Sequence, residues 1–402
     1  MLRRLAARAR HHGLPPPAAF VGDWYSSVAV LAPSVSLRPV VAVPPPLSPV
    51  DGPAGAVGGG WVGYLGYGLT DPVPRPRLLP GAVAGWADHV LRRDAAGRWW
   101  YEELGDGDPA RRDELAALVA SGADPPPAPW RASGLRCPDP ERYRAAVRAA
   151  VEEIAAGEVY QVNICTRYEA RFAGDPAELY AAGVARWRPA RSALLAGPWG
   201  AVVSFSPELF LARHDTIVTS SPIKGTRPRR GPGDDSGAAA LRASAKDVAE
   251  NVMIVDMTRN DLGRVCTTGS VAVPRLLEVQ PHPGVWHLVS TVTGRLAAGV
   301  GDAELLRAAF PPASVTGTPK HRALRVIGVL EDQAREVYCG AVGLASPVAG
   351  LECSVAIRTC EIAGDRLWLG IGGGITADSD PDAEWAECET KAAPILALLH
   401  PS

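Results

Sequence analysis

The segment Ser221-Pro-Ile-Lys-Gly-Thr-Arg227 restricts how this chain can fold more than any other stretch. It follows a β-rich run at residues 216–219 and opens a polar loop rich in glycine and proline. Gly225 lets the backbone turn or approach a ligand closely, and Pro222 stiffens the approach. A lone lysine in such a loop is usually a solvated surface cation. Lys224 is interpreted differently because an acidic residue upstream, two acidic pairs downstream and a triglycine segment accompany it.

Composition limits the class of protein. The chain has 402 residues, 47% of them hydrophobic, which is enough for two or three domains. A net charge of −2 gives no sign of a nucleic-acid partner. The seven cysteines are scattered, odd in number and without a CxxC pair, which favours reduced thiols in a cytoplasm over disulfides or a zinc site. No apolar run reaches the ~18 residues of a membrane span. We therefore expect a cytoplasmic protein without a membrane or nucleic-acid partner.

Proline and glycine divide the chain into three predicted parts. Residues 1–121 form an N-terminal region, 122–138 a Pro/Gly-rich linker, and 139–402 the main domain. The first 22 residues are basic and carry no acid, so we expect a frayed terminus. At the start of the main domain, Asp139 as N-cap, followed by proline, predicts a helix.

Two segments place acidic side chains on one face of a helix. Asp247 and Glu250 are three residues apart, and Glu384, Glu387 and Lys391 follow at i, i+3 and i+7. A solvated acidic face is the ordinary explanation for either segment alone. Two such pairs can instead meet around a hard divalent cation such as Mg²⁺, which prefers oxygen ligands. The spacing alone leaves both explanations open.

Two further features suggest anion binding, each with a plainer alternative, and one histidine lies in a similar apolar stretch. The segment Gly372–Gly374 is predicted to be a turn after a strand, where bare backbone N–H groups can receive a carboxylate or simply form a tight turn. Arg358 lies inside an apolar stretch at 353–362, predicted to be a strand, and needs either an internal acid or an anionic ligand. His287 is similarly embedded, and such a histidine is more often a satisfied core residue.

Together these stretches resemble the chorismate-utilising enzymes, which include anthranilate, aminodeoxychorismate, isochorismate and salicylate synthases. The resemblance covers roughly residues 139–400 in the family's order. It rests on Glu158-Val-Tyr-Gln-Val-Asn163, Ser206-Pro-Glu-Leu209, Pro222-Ile-Lys-Gly-Thr-Arg227, the segment 249–264, His287-Leu-Val-Ser290, Thr316-Gly-Thr-Pro-Lys320, Ile357-Arg-Thr359 and the segment 372–380. A weaker likeness at residues 60–67 extends it into the N-terminal region.

The resemblance implies an α+β fold. Two antiparallel β-sheets are expected to pack as a sandwich, with helices outside and the site between the sheets. Residues 1–121 then correspond to the N-terminal region of anthranilate synthase component I, and residues 139–402 to a chorismate-binding catalytic domain.

The family's chemistry implies a metal site. A nucleophile adds to the ring diene of chorismate, the C4 hydroxyl leaves, and Mg²⁺ binds the ring carboxylate. By matched motif, Glu250 and Glu387 would be metal ligands, supported by Asp247 and Glu384. Asp247 stands where relatives carry glutamate, so its reach is shorter.

The resemblance also assigns residues to the two carboxylates of chorismate. Tyr338 and Arg358 would hold the enolpyruvyl carboxylate, and Gly372, Gly374 and Lys391 the ring carboxylate.

Catalytic roles follow from the same matched motifs. Glu208 would be the general acid that protonates the departing C4 hydroxyl, which requires a carboxyl group still protonated near neutral pH. His287, assigned to the catalytic group, would line the ring together with Thr226 and Ser314.

The residue types at two positions indicate which of the family's reactions to expect. Isochorismate and salicylate synthases carry a general-base lysine where this chain has Gln161, so water addition is disfavoured. Anthranilate synthases carry alanine where this chain has Lys224, as aminodeoxychorismate synthases do. A neutral Lys224 amine would attack C2 as Glu208 helps to expel the C4 hydroxyl, and ammonia would then attack C4 and expel the lysine. The resemblance therefore implies amination at C4.

The nitrogen source is expected to be a separate subunit. Neither the Gly-x-Cys-x-Gly nor the His-x-Glu segment of a class I glutaminase occurs in the sequence. Ammonia from a separate glutaminase, and a lyase that receives the product, are the implied partners. The alternatives are amination at C2, as in anthranilate or 2-amino-2-deoxyisochorismate synthases, and a non-catalytic relative that binds a glutaminase.

Overall fold

The computed structural model describes residues 1–41, 47–122, 124–231, 233–282 and 284–400. Within these ranges the chain forms two large antiparallel sheets. The strands are β1 (Ala18–Trp24), β2 (Ser27–Ala32), β3 (Arg38–Pro39), β4 (Gly60–Leu65), β5 (Ala82–Ala87), β6 (His89–Arg93), β7 (Trp99–Glu103), β8 (Arg131–Arg136), β9 (Gln161–Ala173), β10 (Arg191–Gly197), β11 (Gly200–Ser206), β12 (Leu209–His214), β13 (Ile217–Ser221), β14 (Ile223–Pro228), β15 (Ala272–His282), β16 (Val285–Arg295), β17 (Gly317–Thr318), β18 (Ala341–Ser346), β19 (Gly350–Val355), β20 (Thr359–Ala363) and β21 (Arg366–Ile375).

The helices lie between and after these strands. They are α1 (Leu2–His12), α2 (Pro109–Ala120), α3 (Pro140–Ala155), α4 (Pro176–Trp187), α5 (Ser236–Ala243), α6 (Ala245–Gly263), α7 (Asp302–Ala309), α8 (Lys320–Leu330) and α9 (Pro381–Leu399), with 3₁₀ turns at Tyr67–Leu69 and Ala313–Val315. No helix among the described residues is long and apolar enough to cross a membrane.

Strand order defines the two sheets. The first sheet runs β17-β9-β21-β20-β11-β10-β1-β2-β6-β7, with β8 also paired to β9. The second runs β14-β16-β13-β12-β19-β18-β4-β5-β3, with β15 also paired to β16. The predicted α+β sandwich is confirmed.

The sheets pack face to face over an apolar core. Phe20, Trp24, Val62, Val202 and Trp368 are buried between them. Helices α3, α4, α8 and α9 pack on the first sheet, and α5 and α6 pack on β14, β15 and β16 of the second. Burial of these apolar faces is the main stabilising term of such a layered fold.

The prediction of a frayed N-terminus is wrong. Helix α1 buries Leu5 and the alanines on the same face, and β1 lies inside the first sheet between β10 and β2. The basic residues that suggested disorder form ion pairs, such as Arg3 with Glu178 at 2.8 Å and Arg8 with Glu114 at 2.7 Å. These acids lie more than 100 residues away, so no local pattern indicates the pairing.

The division of the chain at residues 122–138 remains a prediction of functional organisation. Strand β8 lies within this segment, and both sheets contain strands from either side of it. The segment is thus part of the sandwich as well as a connection.

Candidate active site

A cleft of about 940 Å³, partly open to solvent, lies where β9 and β21 of the first sheet face β14 and β16 of the second. Helices α6 and α9, and the connecting segments that carry Glu208, Ser314, Tyr338 and Arg358, contribute the remaining walls. All but two of the residues predicted for the site line it, namely Glu208, Lys224, Thr226, Asp247, Glu250, His287, Ser314, Tyr338, Arg358, Gly372, Gly374, Glu387 and Lys391. The two exceptions are Gln161 and Glu384.

Lys224 projects into this cleft from an irregular part of strand β14. The pairing of β14 with β16 shifts register between Ile223 and Thr226, which re-aims the side chains of the bulged strand. Gly225 has φ +89°, and a Cβ atom there would lie 3.0 Å from the Asp247 Cβ atom. Lys224 is only 8% exposed, and its Nζ atom lies 3.6 Å from Oε2 of Glu250. The predicted nucleophile is therefore a buried cation beside an acid.

Glu208 and Arg358 lie at two neighbouring points where the chain crosses between the sheets. Glu208 joins β11 to β12, and Arg358 joins β19 to β20. Two backbone hydrogen bonds tie the crossovers together: Val355 N–H donates to Glu208 O, and Phe205 N–H donates to Arg358 O, each at 3.1 Å. The sandwich itself thus fixes these two residues next to each other.

The surroundings of Glu208 favour its protonated form. Burial raises the pKa of Glu208 to about 7, although Ser314, the Ile223 backbone, Lys224 and Arg358 each act to lower it. A carboxyl group with this pKa can donate a proton near neutral pH.

The prediction that Arg358 lies inside a continuous strand is wrong. The stretch 353–362 is divided between two sheets, and Arg358 has φ +51° at the break. Burial lowers the pKa of Arg358, and Glu208 acts against that shift. No ion pair or hydrogen bond of its guanidinium group is found among the described residues. An arginine in this state is suited to a planar anionic ligand such as a carboxylate.

The predicted turn at Gly372–Gly374 is also wrong. These residues continue strand β21 and pair with Asn163, Ile164 and Cys165 of β9. Lys391 Nζ donates to the carbonyl oxygen of Gly372 at 2.9 Å. Because Gly372 and Gly374 have no side chains, the cleft stays open at this part of β21.

Gly374 shows how closely the cleft residues approach each other. A Cβ atom at this position would lie 2.6 Å from Gln161 Nε2, 2.7 Å from Lys224 Nζ and 3.0 Å from Glu250 Oε2. Both polar atoms of the Gln161 side chain are buried without a hydrogen-bond partner among the described residues. The side chains of Gln161 and Lys224 therefore approach the same face of Gly374, although Gln161 does not line the cavity.

His287 and Thr226 face each other across β14 and β16. The Thr226 Oγ1 atom and the His287 Nδ1 atom are hydrogen-bonded at 2.9 Å. Burial, with Arg358 and His282 nearby, lowers the pKa of His287 well below its usual value. The imidazole is therefore neutral at physiological pH.

The four predicted metal-binding acids come from two facing helices, α6 and α9. Burial raises the pKa of Glu250, and the nearby carboxylates of Glu384 and Glu387 add to this, while Lys224 and Lys246 oppose it. Lys391, 2.7 Å away, lowers the pKa of Glu387 to about 2.

The other two acids, Asp247 and Glu384, are bonded to side chains of this same chain. Asp247 is paired with Arg227 at 2.7 Å. Glu384 does not line the cleft and is bonded to Lys246 and to Ser379. Among the described residues no group of three or more acidic, histidine or cysteine side chains is arranged around a metal position. The donors in the cleft are nevertheless carboxylates, which fit the oxygen preference of Mg²⁺.

Lys246 is the main contact that sequence reasoning missed. It is bonded to Glu384 and lies 3.8 Å from Glu250, so it connects the acids of α6 with those of α9. Its position four residues before Glu250 on one helix was a readable signal. Asn163 and Gly370 also line the cleft and were not singled out. The alternation of side chains along β9, on which Gln161 and Asn163 share one face, was the available signal for Asn163.

The fold and the cleft define a chorismate-binding enzyme. The model of the chorismate binding enzyme family matches residues 37–397, and the chain belongs to this family. In structure it is similar to anthranilate synthase component I from Streptococcus pneumoniae, with a TM-score of 0.71 and 26% identity over 84% of this chain and 80% of that one.

Two curated relatives narrow the likeness within the family. The chain is 42% identical to aminodeoxychorismate synthase component 1 of Escherichia coli, over 67% of this chain and 59% of that protein. It is 37% identical to the protein of the same name from Salmonella typhimurium, over 85% of this chain and 76% of that protein. The match to the first relative thus spans little more than half of that relative's length.

Proposed function

We propose that this chain aminates chorismate at C4, giving 4-amino-4-deoxychorismate, with ammonia supplied by a separate glutaminase subunit. The observation that carries the proposal is Lys224, buried in the same cleft as Glu208 and beside Glu250. The likeness to aminodeoxychorismate synthases supports the same conclusion.

The two carboxylates of chorismate would be held at opposite ends of the cleft. Arg358 and Tyr338 would bind the enolpyruvyl carboxylate, because the guanidinium group lacks a partner among the described residues. Lys391, with Gly372 and Gly374, would bind the ring carboxylate. This orientation would direct the ring between Lys224 and Glu208.

The nitrogen would reach C4 through two displacement steps. The Lys224 amine attacks C2, both double bonds of the ring diene shift by one position, and the C4–O bond breaks as Glu208 donates a proton to the leaving hydroxyl, which departs as water. Ammonia then attacks C4, both double bonds shift back, and the C2–N bond breaks to return the Lys224 amine. Two such steps give retention at C4, which one direct attack would not.

Mg²⁺ is part of the proposal. Glu250 and Glu387 would hold the ion, supported by Asp247 and Glu384, and the bound ion would neutralise the ring carboxylate. Lys246 and Lys391 would set the positions of these acids before metal binding. We further propose that the reaction is cytoplasmic and that a lyase receives the product.

The test is product analysis of chorismate incubated with the protein, Mg²⁺ and ammonium at about pH 8.5. We expect a 4-amino product that a lyase converts to 4-aminobenzoate. K224A should lose at least about 100-fold of this activity. K224R is the matched control for charge, because its guanidinium keeps a cation beside Glu250 but is not a nucleophile, and it should be equally inactive.

Other outcomes identify the alternatives. Fluorescent anthranilate from the wild type would show C2 amination and overturn the assignment to C4. No loss of chorismate, even with a glutaminase present, would favour a non-catalytic binding protein. Full activity of K224A would remove the lysine adduct from the mechanism.

A further inference from the structure

We propose that Glu361 is a positioning residue whose buried carboxyl group sets the place of the Tyr338 side chain in the substrate cleft. This inference deepens the proposed function and rests on it, since the ligand of Tyr338 is taken to be a carboxylate of chorismate. Glu361 itself does not line the cleft.

Glu361 holds the backbone immediately around Tyr338. It lies in β20 and is 0% exposed. Its Oε1 atom accepts hydrogen bonds from the backbone N–H groups of Val337, at 2.6 Å, and Tyr338, at 3.0 Å. Its Oε2 atom has no partner among the described residues. A buried acid that is only half satisfied is costly, so stability alone does not explain its presence.

The backbone on both sides of Tyr338 is strained. Glu336 has φ +56° and Cys339 has φ +67°, a region that residues other than glycine rarely adopt. Such conformations persist only where the surroundings hold them. The Glu336 carboxylate accepts from the N–H groups of Leu78 and Leu79, and Cys339 N–H donates to Ala356 O. Glu361 supplies the hydrogen bonds between these two strained points.

Gly370 provides the surface on which the Tyr338 ring packs. The ring of Tyr338 lies directly over Gly370, where any side chain would clash with it. Glu361 is paired with Trp368 across β20 and β21, and Trp368 and Gly370 lie on the same face of β21. The acid and the glycine are therefore neighbours on one surface, with Glu361 beneath the backbone of Tyr338 and Gly370 beneath its ring.

The surroundings of the acid favour its neutral form. Burial raises the pKa of Glu361 well above its usual value, and Glu336 adds to the effect, while the N–H groups of Val337 and Tyr338 oppose it. Glutamine is consequently a close substitute, because it keeps one acceptor oxygen for both N–H groups. Methionine has a similar length but no such acceptor.

The experiment measures the dissociation constant of chorismate by calorimetry, in Mg²⁺ buffer without ammonia, for the wild type, E361Q, E361M, Y338F and E361M/Y338F. We expect E361M to weaken binding by about 10-fold or more, as Y338F should. In each variant the hydrogen bond from the Tyr338 hydroxyl group to the chorismate carboxylate is lost. E361Q should bind within about threefold of the wild type. The double variant should bind no more weakly than Y338F alone, because Glu361 acts through Tyr338.

Three results would overturn the inference. These are wild-type affinity in folded E361M, equal loss in E361Q and E361M, or a double variant in which the two losses multiply. If thermal melting shows E361M to be unfolded, E361S, which leaves room for water, is measured in the same cycle with Y338F. Wild-type protein that binds no chorismate would instead overturn the proposed function and this inference with it.

Discussion

The Nζ atom of Lys224 lies 3.6 Å from the Oε2 atom of Glu250, so the proposed nucleophile and a proposed metal ligand form an ion pair inside the cleft. Both side chains are largely buried, and Lys246 lies 3.8 Å from the other carboxylate oxygen. Two lysines therefore offset the charge of Glu250, and a cation bound there would take over part of this role.

Replacing Lys224 by methionine should destabilise the protein when no metal is bound. Removal of one partner leaves the Glu250 carboxylate buried with only Lys246 nearby, and we expect a loss of about 1–3 kcal/mol in the free energy of unfolding, the usual cost of a buried polar group that loses one partner. Mg²⁺ should stabilise K224M more than the wild type, because the ion replaces the lost charge. Urea denaturation in EDTA and in excess Mg²⁺ measures both effects.

The double variant K224M/E250Q is the control for this prediction. It removes both charges and should recover most of the stability lost in K224M. A further loss on adding E250Q would show that Lys224 does not act through Glu250.

Activity should depend on the protonation of Glu208. Because its pKa is raised to about 7, the proton needed by the leaving hydroxyl is lost as the pH rises through this value. We expect kcat/KM for chorismate, at a fixed concentration of free ammonia, to fall above about pH 7. E208Q should lose about 100-fold or more of the activity and should lack this limb of the pH profile.

The same group makes stability depend on pH. Since the folded state binds the proton more tightly than the unfolded state, the contribution of Glu208 is fully present below its ordinary pKa of 4.5 and is lost as the pH rises to about 7. Relative to E208Q, the wild type should therefore lose on the order of 3 kcal/mol between these limits. A stability difference between the two proteins that stays constant with pH would contradict the raised pKa.

Gln161 is expected to lower the stability of the protein while supporting its activity. Its side chain is 1% exposed, and both polar atoms lack partners among the described residues. Q161M removes the buried unpaired amide and should raise the free energy of unfolding by about 1 kcal/mol. It should also lower kcat/KM for amination, since the amide that approaches Gly374 beside Lys224 is lost.

Gln280 provides the comparison for Q161M. Its amide donates to Glu278 on the surface of β15, so Q280M should give neither the gain in stability nor the loss of activity. A stability gain of equal size in both variants would show that the unpaired amide is not the cause.

The N-terminal helix should be integral to the fold. Leu5 is fully buried, and L5A should lower the free energy of unfolding by about 2–5 kcal/mol. Leu14, just beyond the helix, is 37% exposed, and L14A should cost much less. Equal melting temperatures for L5A and the wild type would contradict the packing of α1 on the core.

The sequence alone was sufficient to predict structure where the signal is local. Asp139 and Pro140 predicted the start of α3, and the Asp139 side chain does accept from the N–H groups of Glu141 and Arg142. This signal survives because capping preferences depend on neighbours a few residues away. That Lys224 and Glu208 share one cleft was, by contrast, implied by the family resemblance of their motifs, and the structure places both residues there.

Only the tertiary structure revealed which distant residues of the chain pair with each other. The basic N-terminus is ordered because its arginines meet acids more than 100 residues away, and Arg358 is exposed to the cleft because its strand breaks between two sheets. The hydrogen bonds of Glu361 to the backbone around Tyr338 join residues 23 and 24 positions apart. Local preference specifies what a segment tends to form, whereas burial and long-range pairing depend on which distant segment comes to lie against it.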